Sequence, residues 1–282
     1  MYKIVEKRVL NEQVTLMSLD APYIAKKAQP GQFIIFRIDE NGERVPLTIA
    51  GYDREKGTIT IIFQIVGKTT RQLNELNAGD EILGLVGPLG KATNLEGLKK
   101  VAVIGGGLGT AIAYPQAKKL YELGTHVDLI VGFRNKELVL LEDELKEAST
   151  NLFITTDDGS YVRKGFVTDV LKELIEQGNQ YDEVIAIGPL VMMRAVCNLT
   201  KEYGIKTVVS MNSTMIDGTG MCGGCRLTVG GEMKFACVDG PEFDGHAVDF
   251  DEAIRRSRMF SDEEHKLDEE FCKLTGEVRN NG

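Results

Sequence analysis

The stretch VAVIGGGLGTAIAYPQAKKL, residues 101–120, decides how the middle of this chain folds. A β-branched strand runs into Gly105, Gly106, Gly107, Leu108, Gly109 and Thr110, where a helix opens. Glycines let a backbone approach a pyrophosphate closely, and a helix N-terminus offers free amides and the positive end of its dipole. A tight strand-to-helix turn with no ligand uses the same residues, so the surroundings must decide. Between residues 100 and 211, short apolar strands (HVDLIVG, LFITT, EVIAIG, KTVVS) alternate with helical stretches such as GFVTDVLKELIEQG. That alternation predicts an α/β unit with a doubly wound parallel sheet. A second glycine turn, in VIAIGPLVMMRAV, carries Gly188, Pro189 and Met192 to the same carboxyl edge of that sheet. From sequence alone, Met192 and Met193 read as core filler.

Which nicotinamide cofactor such a site takes is left open by the residues. The position that reads the adenosine ribose lies about 20 residues beyond the glycines, at the end of the second strand. Asp128 falls inside that strand; past it, Arg134 favours a 2′-phosphate and Glu137 opposes one.

Working outward, residues 1–99 change texture to short alternating strands separated by turn residues, an antiparallel β-barrel or sandwich signature. In ERVPLTIAGYD a proline-stiffened strand (Arg44, Val45, Pro46, Leu47, Thr48) ends in a hydroxyl. FQIVGKTTRQL then supplies Gly67, Thr69 and Thr70 at a helix start. The pair suits a flat ring and a second pyrophosphate, and it equally suits an edge strand beside an N-capped helix.

Residues 212–282 hold the cysteine segment DGTGMCGGCRLTVGGEMKFAC, with Cys222, Cys225 and Cys237, and then a charged stretch at helical spacing. Five cysteines in 282 residues, three of them clustered, read as reduced thiols used for ligation rather than as a disulfide framework. A net charge of −9 without a basic run argues against nucleic acid. No membrane-length apolar run and no signal-peptide start are present, so the expected location is cytoplasmic.

RVPLT, GKTT, GPLG, GGGLGTA, IGPLVMM and the cysteine segment occur in this order across nearly the whole chain. Together they resemble the ferredoxin reductase-like flavoproteins. The resemblance is to the electron-transfer subunits of dihydroorotate dehydrogenase and to their relatives, the small subunits of NADH-dependent ferredoxin:NADP oxidoreductase. It implies an FAD-binding barrel, an NAD(H)-binding domain and a [2Fe-2S] cluster near the flavin. Carried onto matching positions, it places FAD against Val45 to Thr48, against Ile62, Phe63 and Gln64, and against Gly67, Thr69 and Thr70, with Thr48 near the reactive edge. The wider family's phosphate-binding arginine falls where this chain has Val45, and Arg44 stands beside it.

Plant-type iron–sulfur proteins space their ligands as cysteine, four residues, cysteine, two residues, cysteine, and a distant fourth cysteine. Cys222, Cys225 and Cys237 supply the last three, and counting back lands on Asp217, where the subunits that this chain resembles have cysteine. The expected ligand set is therefore Asp217, Cys222, Cys225 and Cys237. A zinc site built from Cys222, Cys225, Cys237 and His246, stabilising a nucleotide-binding scaffold, is the competing reading. Cys197, Cys272, His126 and His265 read as structural or solvated.

Nicotinamide transfers two electrons as hydride and an iron–sulfur centre takes one, so a flavin must stand between them, and no side chain need act as an acid or base. The chain has no site for a final substrate, so a partner is implied. By resemblance it is a larger flavoprotein with [4Fe-4S] clusters, forming a heterodimer that serves ferredoxin and NADP(H) by electron bifurcation. The alternative partner is an NAD-dependent dihydroorotate dehydrogenase.

Overall fold

The computed structural model describes residues 1–261, together with Glu263 and Lys266. Of the charged stretch expected at helical spacing (248–274), residues 248–261 with Glu263 and Lys266 are described and its first part is helical; the remainder, with His265 and Cys272, lies outside the described residues.

The amino-terminal third forms β1 (Tyr2–Asn11), β2 (Val14–Asp20), α1 (Pro22–Ala25), β3 (Phe33–Arg37), β4 (Val45–Asp53), β5 (Thr58–Gln64), α2 (Lys68–Glu75), β6 (Glu81–Ile82) and β7 (Gly84–Leu89). Its strands pair antiparallel in the order β6-β1-β2-β5-β4-β3-β7. One continuous run, residues 81–89, bonds β1 at one end and β3 at the other, which nearly closes the sheet into a barrel. Closure removes exposed strand edges. Alternate residues fill the inside: Ile59, Ile61 and Phe63 of β5 are fully buried with Met17, Leu19 and Ile34.

The parallel unit follows as β8 (Lys100–Gly106), α3 (Gly109–Glu122), β9 (His126–Phe133), α4 (Glu142–Glu147), β10 (Asn151–Thr156), α5 (Val167–Glu176), β11 (Glu183–Ile187), α6 (Leu190–Glu202) and β12 (Thr207–Ser210). Strands β8, β9 and β11 are buried nearly throughout, because helices cover both faces. The last third adds a hairpin of β13 (Arg226–Val229) and β14 (Glu232–Phe235), then β15 (Glu242–Asp244) and α7 (Phe250–Ser257), the last capped by Asp249 Oδ1, which accepts from the Glu252 N–H.

The segment after residue 211 is not set apart from the sheet. Strand β15 pairs antiparallel with β12, so the sheet order is β10-β9-β8-β11-β12-β15 and an otherwise parallel sheet becomes mixed. One apolar cluster runs from Phe33 and Ile35 of the barrel through Ala186 and Met193 to Cys225 and Cys237. A second joins Val14 and Ile62 to the opposite face of the parallel sheet. These shared cores hold all three regions in one relative placement. No described helix is long and apolar enough to cross a membrane.

Candidate functional site

A cavity of about 930 Å³ opens between the barrel and the carboxyl edge of the parallel sheet. Its barrel wall is β4 (Val45, Pro46, Leu47, Thr48) with Ile62 and Gln64 of β5; its opposite wall is the two glycine turns. Asn212, Ser213 and Met215, which lead into the cysteine segment, close a third side.

The two glycine turns are built by packing against each other. A Cβ on Gly109 would stand 2.3 Å from the Ile187 carbonyl oxygen, and one on Gly188 would lie 3.1 Å from Gly106. Any side chain there would push α3 away from β11. Gly107, at φ +54°, occupies the left-handed region, and its N–H donates to the Gly132 carbonyl at 2.8 Å. No side chain caps the N-terminus of α3, so the turn keeps room for an anionic group. Gly105 and Thr110 lie behind the turn, where a Cβ on the glycine would touch Thr110 at 2.7 Å; they set the spacing of strand and helix and do not line the cavity.

Met192 is more than filler. Its side chain reaches over Gly106 and Gly188 and lines the cavity, whereas Met193 is fully buried in the core. Arg134 lies on the cavity rim. Beside it is Asp157, which the sequence reading passed over. Its N–H donates to the Phe133 carbonyl at 3.0 Å, and that of Asp158 to the Arg134 carbonyl at 3.3 Å, so the ends of β9 and β10 are stitched into one rim. The signal was available, since an acid in TTDDGS directly follows a strand of a parallel sheet whose carboxyl ends face ligands.

The remaining flavin candidates lie off the cavity wall. Phe63 points into the barrel, as alternation with Ile62 and Gln64 dictates. Thr70 turns its Oγ1 back to accept from the N–H groups of Val66 and Gly67, which caps α2, and Thr69 donates to the Glu43 carboxylate. Arg44 reaches the other way, its Nε donating to the Ile216 carbonyl at 2.9 Å beside the cysteine loop.

Within that loop, Cys225 and Cys237 are buried with their sulfurs 3.3 Å apart, and Cys222 is exposed. The Asp217 carboxylate accepts from the N–H groups of Thr219 and Cys222, each at 2.9 Å, and the first of these chiefly holds its carboxyl below the usual carboxylate range. Burial, helped by the bond to Cys225, pushes the Cys237 thiol up. A metal bound at Cys237 would have to displace that proton. Among the described residues, no three acidic, cysteine or histidine side chains stand in a ready-made metal geometry. The donor set nonetheless suits an iron–sulfur cluster: two adjacent thiols, a third cysteine at the surface, a carboxylate, and glycines at positive φ (Gly218, Gly220, Gly223) that let the chain wrap closely. His246 is elsewhere, its Nε2 3.0 Å from Thr200 Oγ1, so the competing zinc set is not brought together. Cys197 is a buried core thiol of α6, with a pKa pushed up to about 12 by burial.

Comparison with known proteins adds to this geometry. Residues 212–249 match the family model for the iron-sulfur cluster binding domain of dihydroorotate dehydrogenase B, and residues 103–198 that for the oxidoreductase NAD-binding domain. The chain is similar to a Thermotoga maritima homolog of the dihydroorotate dehydrogenase B (NAD(+)) electron transfer subunit, with 42% identity over 98% of this chain and 97% of that one. It is also similar to an uncharacterized Clostridium beijerinckii protein from the adh 3′ region, with 55% identity over 94% of this chain and 93% of that one. Among solved structures it matches one of an NADH-dependent reduced ferredoxin-NADP oxidoreductase, described for flavin-based electron bifurcation, with a TM-score of 0.91, 42% identity, and 96% and 97% of the two chains covered. A ferredoxin reductase of carbazole 1,9a-dioxygenase, 21% identical with a TM-score of 0.62, shares the fold.

Proposed function

Because the chain belongs to the family of dihydroorotate dehydrogenase B electron-transfer subunits and their homologues, we propose that its central cavity brings a nicotinamide, a flavin and an iron–sulfur cluster into one line. The chain is an oxidoreductase subunit of the NADH-dependent ferredoxin:NADP oxidoreductase type, using NAD(H), FAD and an iron–sulfur cluster. One observation carries the site reading: a single cavity is walled by β4 of the barrel, by both glycine turns, and by Met215 of the segment that leads to the cysteines. A flavin held there would supply the chemistry that links two-electron hydride transfer to one-electron transfer.

The chain's own residues supply position. Pro46, which stiffens β4, and Thr48 hold the flavin face; Gly106, Gly107 and Gly109 admit the dinucleotide pyrophosphate; Met192 and Pro189 shape the space where the two rings meet. Asp157 reads the adenosine ribose, its carboxylate accepting from the 2′-hydroxyl and repelling a 2′-phosphate, which makes the site one for NAD(H) despite Arg134. Asp217, Cys222, Cys225 and Cys237 hold a [2Fe-2S] cluster. The receiver of the electrons is a larger flavoprotein subunit with [4Fe-4S] clusters, through which ferredoxin and NADP(H) are served.

Full-length protein purified without air tests these assignments. It should release FAD and contain about two irons and about two acid-labile sulfides per chain. Asp217→Ala should lose iron and keep flavin; an intact cluster in that variant rejects the carboxylate ligand. Asp157→Asn should raise NADPH-driven flavin reduction about tenfold or more relative to NADH, and unchanged discrimination removes Asp157 from the ribose site.

A further inference from the structure

The cysteine loop is held by three guanidinium groups from different parts of the molecule. Arg44, entering β4, donates to the carbonyls of Ile216, at 2.9 Å, and Asp217, at 3.5 Å. Arg226, opening β13, donates to the Gly223 carbonyl at 3.1 Å, and Arg256 of α7 donates to the Gly224 carbonyl at 3.1 Å.

Each of these carbonyls belongs to a peptide unit whose N–H points the opposite way. The unit that accepts from Arg226 continues into the Gly224 N–H, which is directed at the Cys222 sulfur at 3.4 Å. A cation on the oxygen polarises that unit and strengthens its N–H as a donor toward sulfur. The next unit, which accepts from Arg256, carries the Cys225 N–H; the two that accept from Arg44 carry those of Asp217 and Gly218. The loop thus turns its oxygens outward onto cations.

Net charge and hydrogen bonds to sulfur are what tune an iron–sulfur potential. A [2Fe-2S] cluster with three thiolates and one carboxylate is a dianion when oxidised and a trianion when reduced. Fixed positive charge therefore stabilises the reduced form more than the oxidised one. We propose that Arg44, Arg226 and Arg256 are positioning residues that raise the reduction potential of the cluster, acting through the loop peptides that they hold. This rests on the reading of Asp217, Cys222, Cys225 and Cys237 as its ligands. Arg256, half-buried, acts most strongly, and the exposed Arg44 and Arg226 are weakened by solvent and salt.

The test is potentiometric titration of the full-length, FAD- and cluster-loaded protein, followed by the electron paramagnetic resonance of the reduced cluster. Arg44→Gln, Arg226→Gln and Arg256→Gln should each move the midpoint to a more negative potential, Arg256→Gln furthest. The corresponding lysine variants should return it toward the starting value, and FAD content should be unchanged in all. Glutamine variants that keep both their iron and the original potential overturn the proposal. So do lysine variants that shift as far as glutamine, which would make the fork's geometry rather than its charge responsible. Loss of FAD from Arg44→Gln would instead place Arg44 at the flavin phosphates. If a glutamine variant loses iron, its lysine counterpart is titrated at low and high salt; a salt-independent potential counts against the proposal and a salt-dependent one for it. Unsubstituted protein without acid-labile sulfide fails at the earlier step, the ligand set itself.

Discussion

The glycine turns and the cysteine loop are both rich in glycine, and glycine serves opposite purposes in the two. At the turns, the missing side chains let backbones touch: Gly109 lies under the Ile187 carbonyl and Gly106 under Met192, and Ile187 and Met193 beside them are buried. In the loop, Gly218, Gly220 and Gly223 lie at positive φ, which lets the chain turn tightly between its donor residues. Asp217 bonds the Thr219 and Cys222 amides, Cys222 faces solvent, and Cys225 and Cys237 hold their sulfurs in contact. A nucleotide can use packing that is already there, whereas a cluster must supply the bonds that complete its site.

The largest effect that would sharpen this comparison is expected from Gly109→Ala. Its methyl would run into the Ile187–Gly188 backbone, which cannot step aside, so folding stability should fall by about 3 kcal/mol and NADH affinity by tenfold or more. Thermal unfolding and NADH titration measure both. Gly106→Ala should cost less, because the nearest atoms in its way belong to the movable end of Met192, with the Pro189 ring at 3.0 Å. Equal losses in the two variants would break the account of the turns.

Cys225→Ala probes the other side. Iron and sulfide analysis should show the cluster gone, while NADH still reduces the flavin and the unfolding temperature of iron-free protein shifts little. Lost flavin reduction in that variant would mean that the two regions are not independently built.

The smallest effect concerns the joint between the regions. Glu242 of β15 accepts from Thr93 Oγ1 at 2.8 Å and from Gln116 Nε2 of α3, so barrel, parallel unit and final third meet on one carboxyl. Burial pushes its pKa up to about 7, against the lowering pull of those two bonds. The folded state therefore binds the extra proton between its ordinary value of 4.5 and about 7, and stability contributed by this group is lost as pH rises through that window. Glu242→Gln should flatten that slope and leave stability below the window unchanged, as read by unfolding at a series of pH values. An unaltered slope would place the titration elsewhere.

Much of the architecture was legible in the chain because it rests on local pattern. Apolar runs such as VAVIG and EVIAI are buried on both faces, as parallel strands are; in the barrel β5 keeps a partial in-and-out alternation, whereas β2 and β3 are buried almost throughout. The cofactor classes were legible too, through glycines that open helices and cysteines at recognisable spacing. The roles of Arg44, Asp157 and Met192 were not. Arg44 meets a carbonyl 172 positions away, and the sequence around it reads as well for a flavin phosphate as for a loop tie. Thr70 illustrates the same limit: a hydroxyl at a helix start serves a phosphate or its own backbone with no change in the local residues.

The sequence by itself determined the three textures of this protein, the two glycine turns and the clustering of Cys222, Cys225 and Cys237, because each depends on neighbours a few residues apart. Only the tertiary structure decided that β15 joins the parallel sheet, that Asp157 shares a rim with Arg134, and that three arginines converge on one loop. These are encounters between distant segments. They are fixed by which apolar faces must be buried together, and no short stretch of chain carries that information.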